Sequence, residues 1–132
     1  MLLRNNLYTI SQKEINGLNG CFTIELNSSH FIYLAHFPEE PITPGVCIVQ
    51  IGQELLELLL EESCLKKYRL EIKKVKNVKF LSVISPKNNT TIGYTMKKVE
   101  MSEDAMEVKA QIDVSFKDEI KAKISLVLSV SC

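Results

Sequence analysis

Residues 36–62, HFPEEPITPGVCIVQIGQELLELLLEE, decide the fold of this chain. The stretch begins in a turn with three prolines, each of which fixes its own φ at about −65° and favours extended backbone in the residue before it. It continues into a strongly apolar, helix-forming segment. Thr43 is predicted to cap the helix, with Pro44 as its first residue and Gly45 as its second. The sequence therefore predicts a stiff turn that leads directly into one helix.

Residues 46–63 are predicted to form this central helix. Its apolar side chains cover most of the circumference, so the helix should be buried on most sides. Its polar side chains recur at helical spacing and form one narrow stripe, which is typical of a solvated face or a subunit contact. The members of this polar stripe are Gln50, Gln53, Glu54, Glu57 and Glu61.

The remaining sequence favours β-structure. A short strand at 7–10 is followed by polar residues and turn residues, and 21–26 alternates like a strand. Residues 30–35 are compatible with one helical turn or with an extended lead-in. After the helix, segments rich in β-branched residues are separated by turn sequences, which predicts four or five antiparallel strands at 68–72, 75–84, 91–99, 106–114 and 120–130. One buried helix with this much sheet indicates an α+β fold, a long antiparallel β-sheet wrapped around one central α-helix.

Composition narrows the class of protein. The chain has 132 residues, of which 45% are apolar and 24% are charged, as in ordinary globular proteins, and we expect one domain over residues 1–132. The formal net charge is zero, which favours neither nucleic acid nor a membrane surface as a partner. The sequence has no signal-peptide pattern and no uninterrupted apolar run of membrane-spanning length, so we expect a cytoplasmic protein.

The cysteines and histidines do not form a metal-binding pattern. The four cysteines contain no CxxC pair, and the two histidines lie outside metal-ligand spacing from them. We therefore predict no metal and no disulfide framework, with thiols that are buried or incidental.

The segment HFPEEPITPGV resembles the HFP-x-x-P-x-x-PG-V signature of 3-hydroxyacyl-[acyl-carrier-protein] dehydratases, the hotdog-fold enzymes of fatty-acid synthesis. The order of elements also resembles a hotdog fold. The resemblance implies removal of water from a 3-hydroxyacyl thioester in fatty-acid-like or polyene biosynthesis. It implies an acyl carrier protein as partner, a homodimer with its acyl tunnel at the subunit interface, and no cofactor beyond the phosphopantetheine that carries the substrate.

The resemblance also assigns roles to individual residues. His36 would act on the C2 proton and the hydroxyl, and the backbone amide of Gly45 would receive the thioester carbonyl. Phe37 and Val46 would contact the substrate beside them. The Gly45 role also has a physical basis, because amides at a helix start are unpaired and carry the positive end of the helix dipole. The family's helix carboxylate falls on Gln50 here, which is neither Glu nor Asp.

Gln50 leaves the reaction open. Elimination of water needs a base and an acid, and an amide can hold a hydroxyl but cannot deliver a proton. Either His36 serves as both, or Glu54, one helical turn further on, reaches the substrate through a water or a shifted pose. Glutamine at this position is also compatible with a hotdog thioesterase that orients a water, or with a non-catalytic acyl-binding subunit of a dehydratase complex.

A lysine-rich segment follows the helix. It is typical of a solvated sheet edge that lysines protect from pairing, and it is also compatible with a docking patch for an acidic carrier protein. RNA binding is disfavoured, because aromatic residues do not alternate with the basic ones. The basic side chains are Lys66, Lys67, Arg69, Lys73, Lys74, Lys76 and Lys79.

Overall fold

In the part of the chain that the structure describes, a six-stranded antiparallel sheet wraps around one long helix. The computed structural model describes residues 2–35 and 39–131. The sheet order is β1-β2-β4-β5-β6-β3, and each neighbouring pair is antiparallel. The predicted α+β arrangement is therefore confirmed. The elements are β1 (Tyr8–Asn16), β2 (Asn19–Leu26), α1 (Phe31–Ala35), α2 (Gly45–Cys64), β3 (Arg69–Phe80), β4 (Thr91–Met101), β5 (Glu107–Phe116) and β6 (Glu119–Ser131).

Helix α2 packs closely on the inner face of the sheet. A Cβ added at Gly52 would lie 3.0 Å from Cδ1 of Ile112, so the glycine lets the middle of the helix approach β5. The buried hydroxyl of Tyr94 on β4 donates a 2.8 Å hydrogen bond to the carbonyl of Ile48 on the helix. These contacts fix the helix against the central strands and leave its first turns to face the last strand in the order, β3.

The helix start differs from the prediction in one respect. Helix α2 begins at Gly45, and Pro44 occupies the capping position with extended backbone (ψ 144°). The prediction that Thr43 caps the helix is wrong. Thr43 is 3% exposed, its hydroxyl lies 2.9 Å from that of Tyr33, and its amide donates to the carbonyl of Ile84. Because the Thr43 hydroxyl bonds to α1, it is not used at the start of α2.

Strand β3 is continuous, although the sequence predicted two strands interrupted at Lys73 and Lys74. Its pairing with β6 shifts register twice, between Ile72 and Lys74 and between Val75 and Asn77. Each β-bulge adds one residue to the usual two-residue period. With these bulges, the apolar side chains stay on the helix-facing side of the strand, and the exposed lysine pair does not interrupt it.

Two further segments refine the prediction. Strand β1 runs through the mostly polar residues 11–16 that were expected to end it, because its pairing with β2 continues past a register shift after Ile10 up to Asn16 and Asn19. Residues 31–35 form the helical turn α1 and not an extended lead-in. Within the described part of the chain, no helix combines the length and hydropathy needed to cross a membrane.

Candidate functional site

An apolar groove of about 600 Å³ lies between the first turns of α2 and strand β3. Five of its described lining residues come from the helix and four from the strand. The groove therefore lies where β3, at the end of the strand order, passes the first turns of the helix. Its walls can accept an apolar chain, because burial of hydrocarbon there is favourable. The lining residues are Gly45, Val46, Val49, Gln50, Gln53, Ile72, Val75, Val78 and Phe80.

The start of α2 forms one end of this groove. Among residues 2–35 and 39–131, no side chain caps this helix terminus, and the first amides of an α-helix have no intrahelical acceptor. A Cβ on Gly45 would lie 2.8 Å from Cζ of Phe80, so the glycine allows the Phe80 ring to lie against the backbone. Val46, which is 79% exposed, also lines the groove. The predicted substrate-contacting residues Gly45 and Val46 therefore lie on one surface.

Gln50 is half-buried and lines the groove further along the helix. Its side-chain nitrogen Nε2 donates a 3.0 Å hydrogen bond to Oε2 of Glu54, one turn away. The structure thus brings Gln50 to the same groove as Gly45. It connects Gln50 to Glu54 through a direct hydrogen bond.

Glu54 is 5% exposed, and its carboxylate accepts four hydrogen bonds from described residues. Oε2 accepts from the Leu3 amide at 2.8 Å and from Gln50, and Oε1 accepts from the Arg4 amide and the Tyr8 hydroxyl, both at 2.9 Å. A carboxylate has about four acceptor sites, and all are used. Glu54 faces the N-terminal segment and does not line the apolar groove, which disfavours it as a direct acid toward a substrate.

A polar cavity of about 660 Å³ lies on the other side of the polar stripe. It shares Gln50 and Gln53 with the apolar groove, so these two amides separate the two spaces. Gln53 donates to the Leu70 carbonyl, and the Leu70 amide donates to Glu57, both at 2.7 Å. Both helix side chains therefore hold the start of β3 against α2.

Burial raises the pKa of the Glu57 carboxyl above its ordinary value, and the nearby charge of Glu54 adds to the effect. Because the folded-state pKa is raised, the ionised form of Glu57 lowers the free energy of unfolding. This loss disappears as the pH falls below the folded-state pKa, where the carboxyl is protonated. Glu57→Gln keeps an acceptor for the Leu70 amide. We expect the variant to melt above the wild type at pH 7, with a difference that shrinks toward pH 4, in thermal unfolding followed by circular dichroism.

Glu103→Gln is the control for this prediction, because Glu103 is an exposed carboxylate in a turn. Its melting temperature should follow that of the wild type at every pH. A Glu57→Gln variant that is less stable than the wild type at pH 7 would show that the carboxylate charge contributes favourably at this position.

Sequence reasoning missed the groups that surround the site. The backbone amides of Leu3 and Arg4 carry no signal in the side-chain pattern, and Tyr8 is an ordinary strand residue in sequence. Phe80 ends a strand that could have been recognised as a groove wall once the two bulges were known. The predicted site residues His36 and Phe37 lie outside the described residues, so their roles stay predictions.

The lysine-rich segment lies along β3 and the residues just before it. Strand β3 is the last strand in the sheet order, and the lysines of the segment are exposed. Lys73 forms a salt bridge with Glu107 at 3.1 Å. The lysines at 73, 74, 76 and 79 are thus exposed on the same strand whose apolar residues line the groove, and Lys66 and Lys67 are exposed just before it.

Known proteins with this fold include both dehydratases and thioesterases. The dehydratase heterocomplex ApeI:P from Xenorhabdus doucetiae has a TM-score of 0.65 at 17% identity, over 91% of this chain and 96% of that chain. A hypothetical thioesterase protein with coenzyme A from Streptococcus pneumoniae TIGR4 has a TM-score of 0.67 at 10% identity, over 94% of this chain and 85% of that chain. These similarities confirm the hotdog fold.

The sequence itself matches a family model. No curated protein sequence matches the chain. The model of the ApeI-like family, described as ApeI dehydratase, matches residues 12–121, which include the turn, the central helix and most of the sheet. The chain therefore belongs to the ApeI-like family of dehydratases.

Proposed function

We propose that this protein acts on acyl thioesters, as a 3-hydroxyacyl-carrier-protein dehydratase of fatty-acid-like or polyene biosynthesis. The observation that carries the proposal is the apolar groove that begins beside Gly45 at the start of α2, which no described side chain caps. An acyl chain fits the apolar walls, and a thioester carbonyl fits the amides at the helix terminus. Membership of the ApeI-like dehydratase family supports the same reaction.

The reaction removes one water from the substrate. The base takes the C2 proton, the electron pair of that bond forms the C2–C3 double bond, and the C3–O bond breaks with its electrons on the oxygen. In the proposal His36 takes the C2 proton and returns it to the leaving hydroxyl, which departs as water. The Gly45 amide stabilises the negative charge that develops on the thioester oxygen. Gln50 holds the hydroxyl by a hydrogen bond.

Surfaces beside the groove support the proposed partners. Exposed lysines on β3 are suited to attract an acidic acyl carrier protein, which would deliver the acyl-phosphopantetheine arm to the adjacent groove.

We also propose that a second hotdog subunit covers the exposed apolar side chains near this strand, in a homodimer. The ApeI:P structure is a heterocomplex, so a different hotdog chain is the alternative partner. These side chains are Val46, Val75, Phe80, Leu81 and Val83.

A thioesterase is the second candidate. The observation that favours it is Gln50 itself, an amide on the groove that can orient a water but cannot donate a proton to a leaving hydroxyl. In that reaction the water attacks the thioester carbonyl at the helix terminus, the C–S bond breaks and the thiol is released. A non-catalytic acyl-binding subunit is the third candidate, and it would be inactive without its partner.

One pair of assays separates these candidates. Purified protein is given a crotonyl thioester, and loss of the enoyl absorbance is followed as hydration, the reverse reaction. A saturated acyl thioester is assayed in parallel for free thiol. Enoyl loss that disappears in His36→Ala supports the dehydratase, and thiol release alone supports the thioesterase. Neither signal in the pure protein overturns both enzymatic proposals in favour of the acyl-binding subunit.

We expect Gln50→Glu to raise enoyl hydration at least about tenfold, which corresponds to about 1.4 kcal/mol of barrier. The new carboxyl would lie next to the Glu54 carboxylate, because Gln50 Nε2 is 3.0 Å from Oε2 of Glu54. Two carboxyl groups this close share a proton, so the variant would carry an acid at the groove. The rate is measured as kcat/KM for the crotonyl thioester.

The double variant His36→Ala with Gln50→Glu is the control, since a gain made at this site requires the base. An unchanged rate in correctly folded Gln50→Glu would show that position 50 does not face the reacting atoms. A gain that survives in the double variant would place the reaction elsewhere.

A further inference from the structure

Glu54 is a buried carboxylate that the proposed reaction does not use directly. It is 5% exposed, and each of its oxygens accepts two hydrogen bonds. Three of the four donors come from the N-terminal part of the chain, namely the amides of Leu3 and Arg4 and the hydroxyl of Tyr8. The fourth is the amide nitrogen of Gln50 on the groove. Glu54 therefore connects the N-terminal segment to a groove residue.

The hydrogen bond to Glu54 determines which end of the Gln50 amide points where. A glutamine amide has a donating nitrogen and an accepting oxygen of similar shape, so it can turn over when its partners allow either orientation. An ionised carboxylate only accepts hydrogen bonds. Because Oε2 of Glu54 can be satisfied only by a donor, it selects the orientation with Nε2 toward Glu54.

We propose that Glu54 is a positioning residue, which fixes the Gln50 amide so that its carbonyl oxygen accepts the hydrogen bond of the substrate hydroxyl. The inference rests on the proposed function of the groove. A carbonyl oxygen has two lone pairs, so Gln50 can accept from the substrate and from a protein group together. In a thioesterase the same orientation would hold the attacking water. Glu54 thus acts on the reaction by orienting Gln50 and not by transferring a proton of its own.

The other three donors keep Glu54 in place for this role. Burial raises the pKa of the Tyr8 phenol far above its usual value, with the charge of Glu54 as the next cause, so the phenol stays protonated and remains a donor. The two backbone amides have no alternative protonation state. Apart from Gln50, the carboxylate is therefore held on one oxygen by a backbone amide and a phenol, and on the other by a backbone amide.

The first test is the side-chain amide signal of Gln50 in ¹⁵N-labelled protein, identified by its disappearance in Gln50→Leu. A hydrogen bond to a carboxylate shifts the amide protons, so Glu54→Gln should move this signal. Glu61→Gln, on the same polar stripe but about three helical turns away from Gln50, should leave it in place. A Gln50 signal that is unmoved in folded Glu54→Gln overturns the inference.

The second test is kinetic. Glu54→Gln should lower kcat for crotonyl thioester hydration about tenfold while KM stays within about twofold, because the loss is in the transition state and not in substrate binding. Glu61→Gln should leave both constants unchanged. The exchanged pair, Gln50→Glu with Glu54→Gln, restores a carboxylate–amide hydrogen bond with the ends reversed, and should recover at least the wild-type rate.

The outcomes distinguish this inference from the proposed function. If Gln50→Ala lowers kcat but Glu54→Gln does not, the positioning role is wrong and the groove assignment stands. If Gln50→Ala has no effect on either thioester assay, the proposed role of Gln50 is wrong, whatever the amide signal shows. Should Glu54→Gln fail to fold, Tyr8→Phe removes one of the four hydrogen bonds and should shift the Gln50 signal in the same direction by less. No shift in Tyr8→Phe then overturns the inference.

Discussion

Gly45→Ala is expected to lower kcat/KM for an acyl thioester about 100-fold without loss of the fold. The added methyl would lie 2.8 Å from Cζ of Phe80, so the ring must move across the groove at the point where the thioester carbonyl is proposed to bind. A misplacement of about 1 Å at a reacting group costs about 100-fold in rate. Phe80 is 51% exposed in the single chain and lies outside its buried core, so its ring can move without repacking that core. The measurement is crotonyl thioester hydration together with thermal unfolding.

The matched control is the double variant Gly45→Ala with Phe80→Ala. Removal of the ring relieves the clash, so the double variant should be at least about tenfold faster than Gly45→Ala alone, a coupling between neighbours of about 1.4 kcal/mol. Phe80→Ala alone should retain most of the activity. A wild-type rate in Gly45→Ala would contradict the assignment of the carbonyl to this helix terminus.

Leu55→Ala is expected to lower the free energy of unfolding by about 3 kcal/mol and the melting temperature by roughly 10 °C. Leu55 is fully buried in the core that α2 forms with the sheet. Loss of its side chain removes apolar burial and leaves a cavity that the close-packed sheet cannot fill. The measurement is the urea midpoint at fixed protein concentration, since an oligomer's stability depends on concentration.

Leu34→Ala on α1 is the matched control. Leu34 is 71% exposed and is not among the side chains that we propose a second subunit covers, so its truncation should change the free energy of unfolding by less than about 0.5 kcal/mol. Equal losses in the two variants at one protein concentration would contradict the assignment of the Leu55 loss to the buried core.

The central helix could be predicted because its signals are local. Its apolar periodicity, the turn before it and the proline at its start all lie within residues 36–62, and α2 spans Gly45–Cys64. The identity of the cap was wrong because Thr43 bonds to Tyr33, a contact that the pattern around the helix start does not contain. Local patterns thus predict the element but not which distant group satisfies its polar atoms.

Strand β3 illustrates a second limit. Alternation is the signal of a strand, and two bulges change the period from two to three at successive points. The polar pair Lys73 and Lys74 therefore predicts an end of the strand, although the backbone pairs with β6 on both sides of the pair. The apolar face that lines the groove becomes visible only when the register is known.

In the candidate site, too, local sequence signals predicted some residues, and contacts with distant residues could not be predicted. The motif predicted Gly45 and Gln50 near one substrate, and both line the groove. It could not predict that Glu54 turns toward Leu3 and Arg4, because backbone amides are the same at every position and only the path of the chain brings them there. The base at His36 and the contact at Phe37 remain predictions.

The sheet order also has a consequence for synthesis of the protein. Strand β3 has β6 as its neighbour in the described sheet, and β6 is made last of the six strands. At roughly 5–20 residues per second, a ribosome needs several seconds between the end of β3 and the end of β6. During that interval the strand that pairs with β3 in the described sheet has not yet been made. Lysines along a strand disfavour its pairing with another chain, so we expect those of β3 to protect the growing chain from its neighbours on a polysome until β6 emerges.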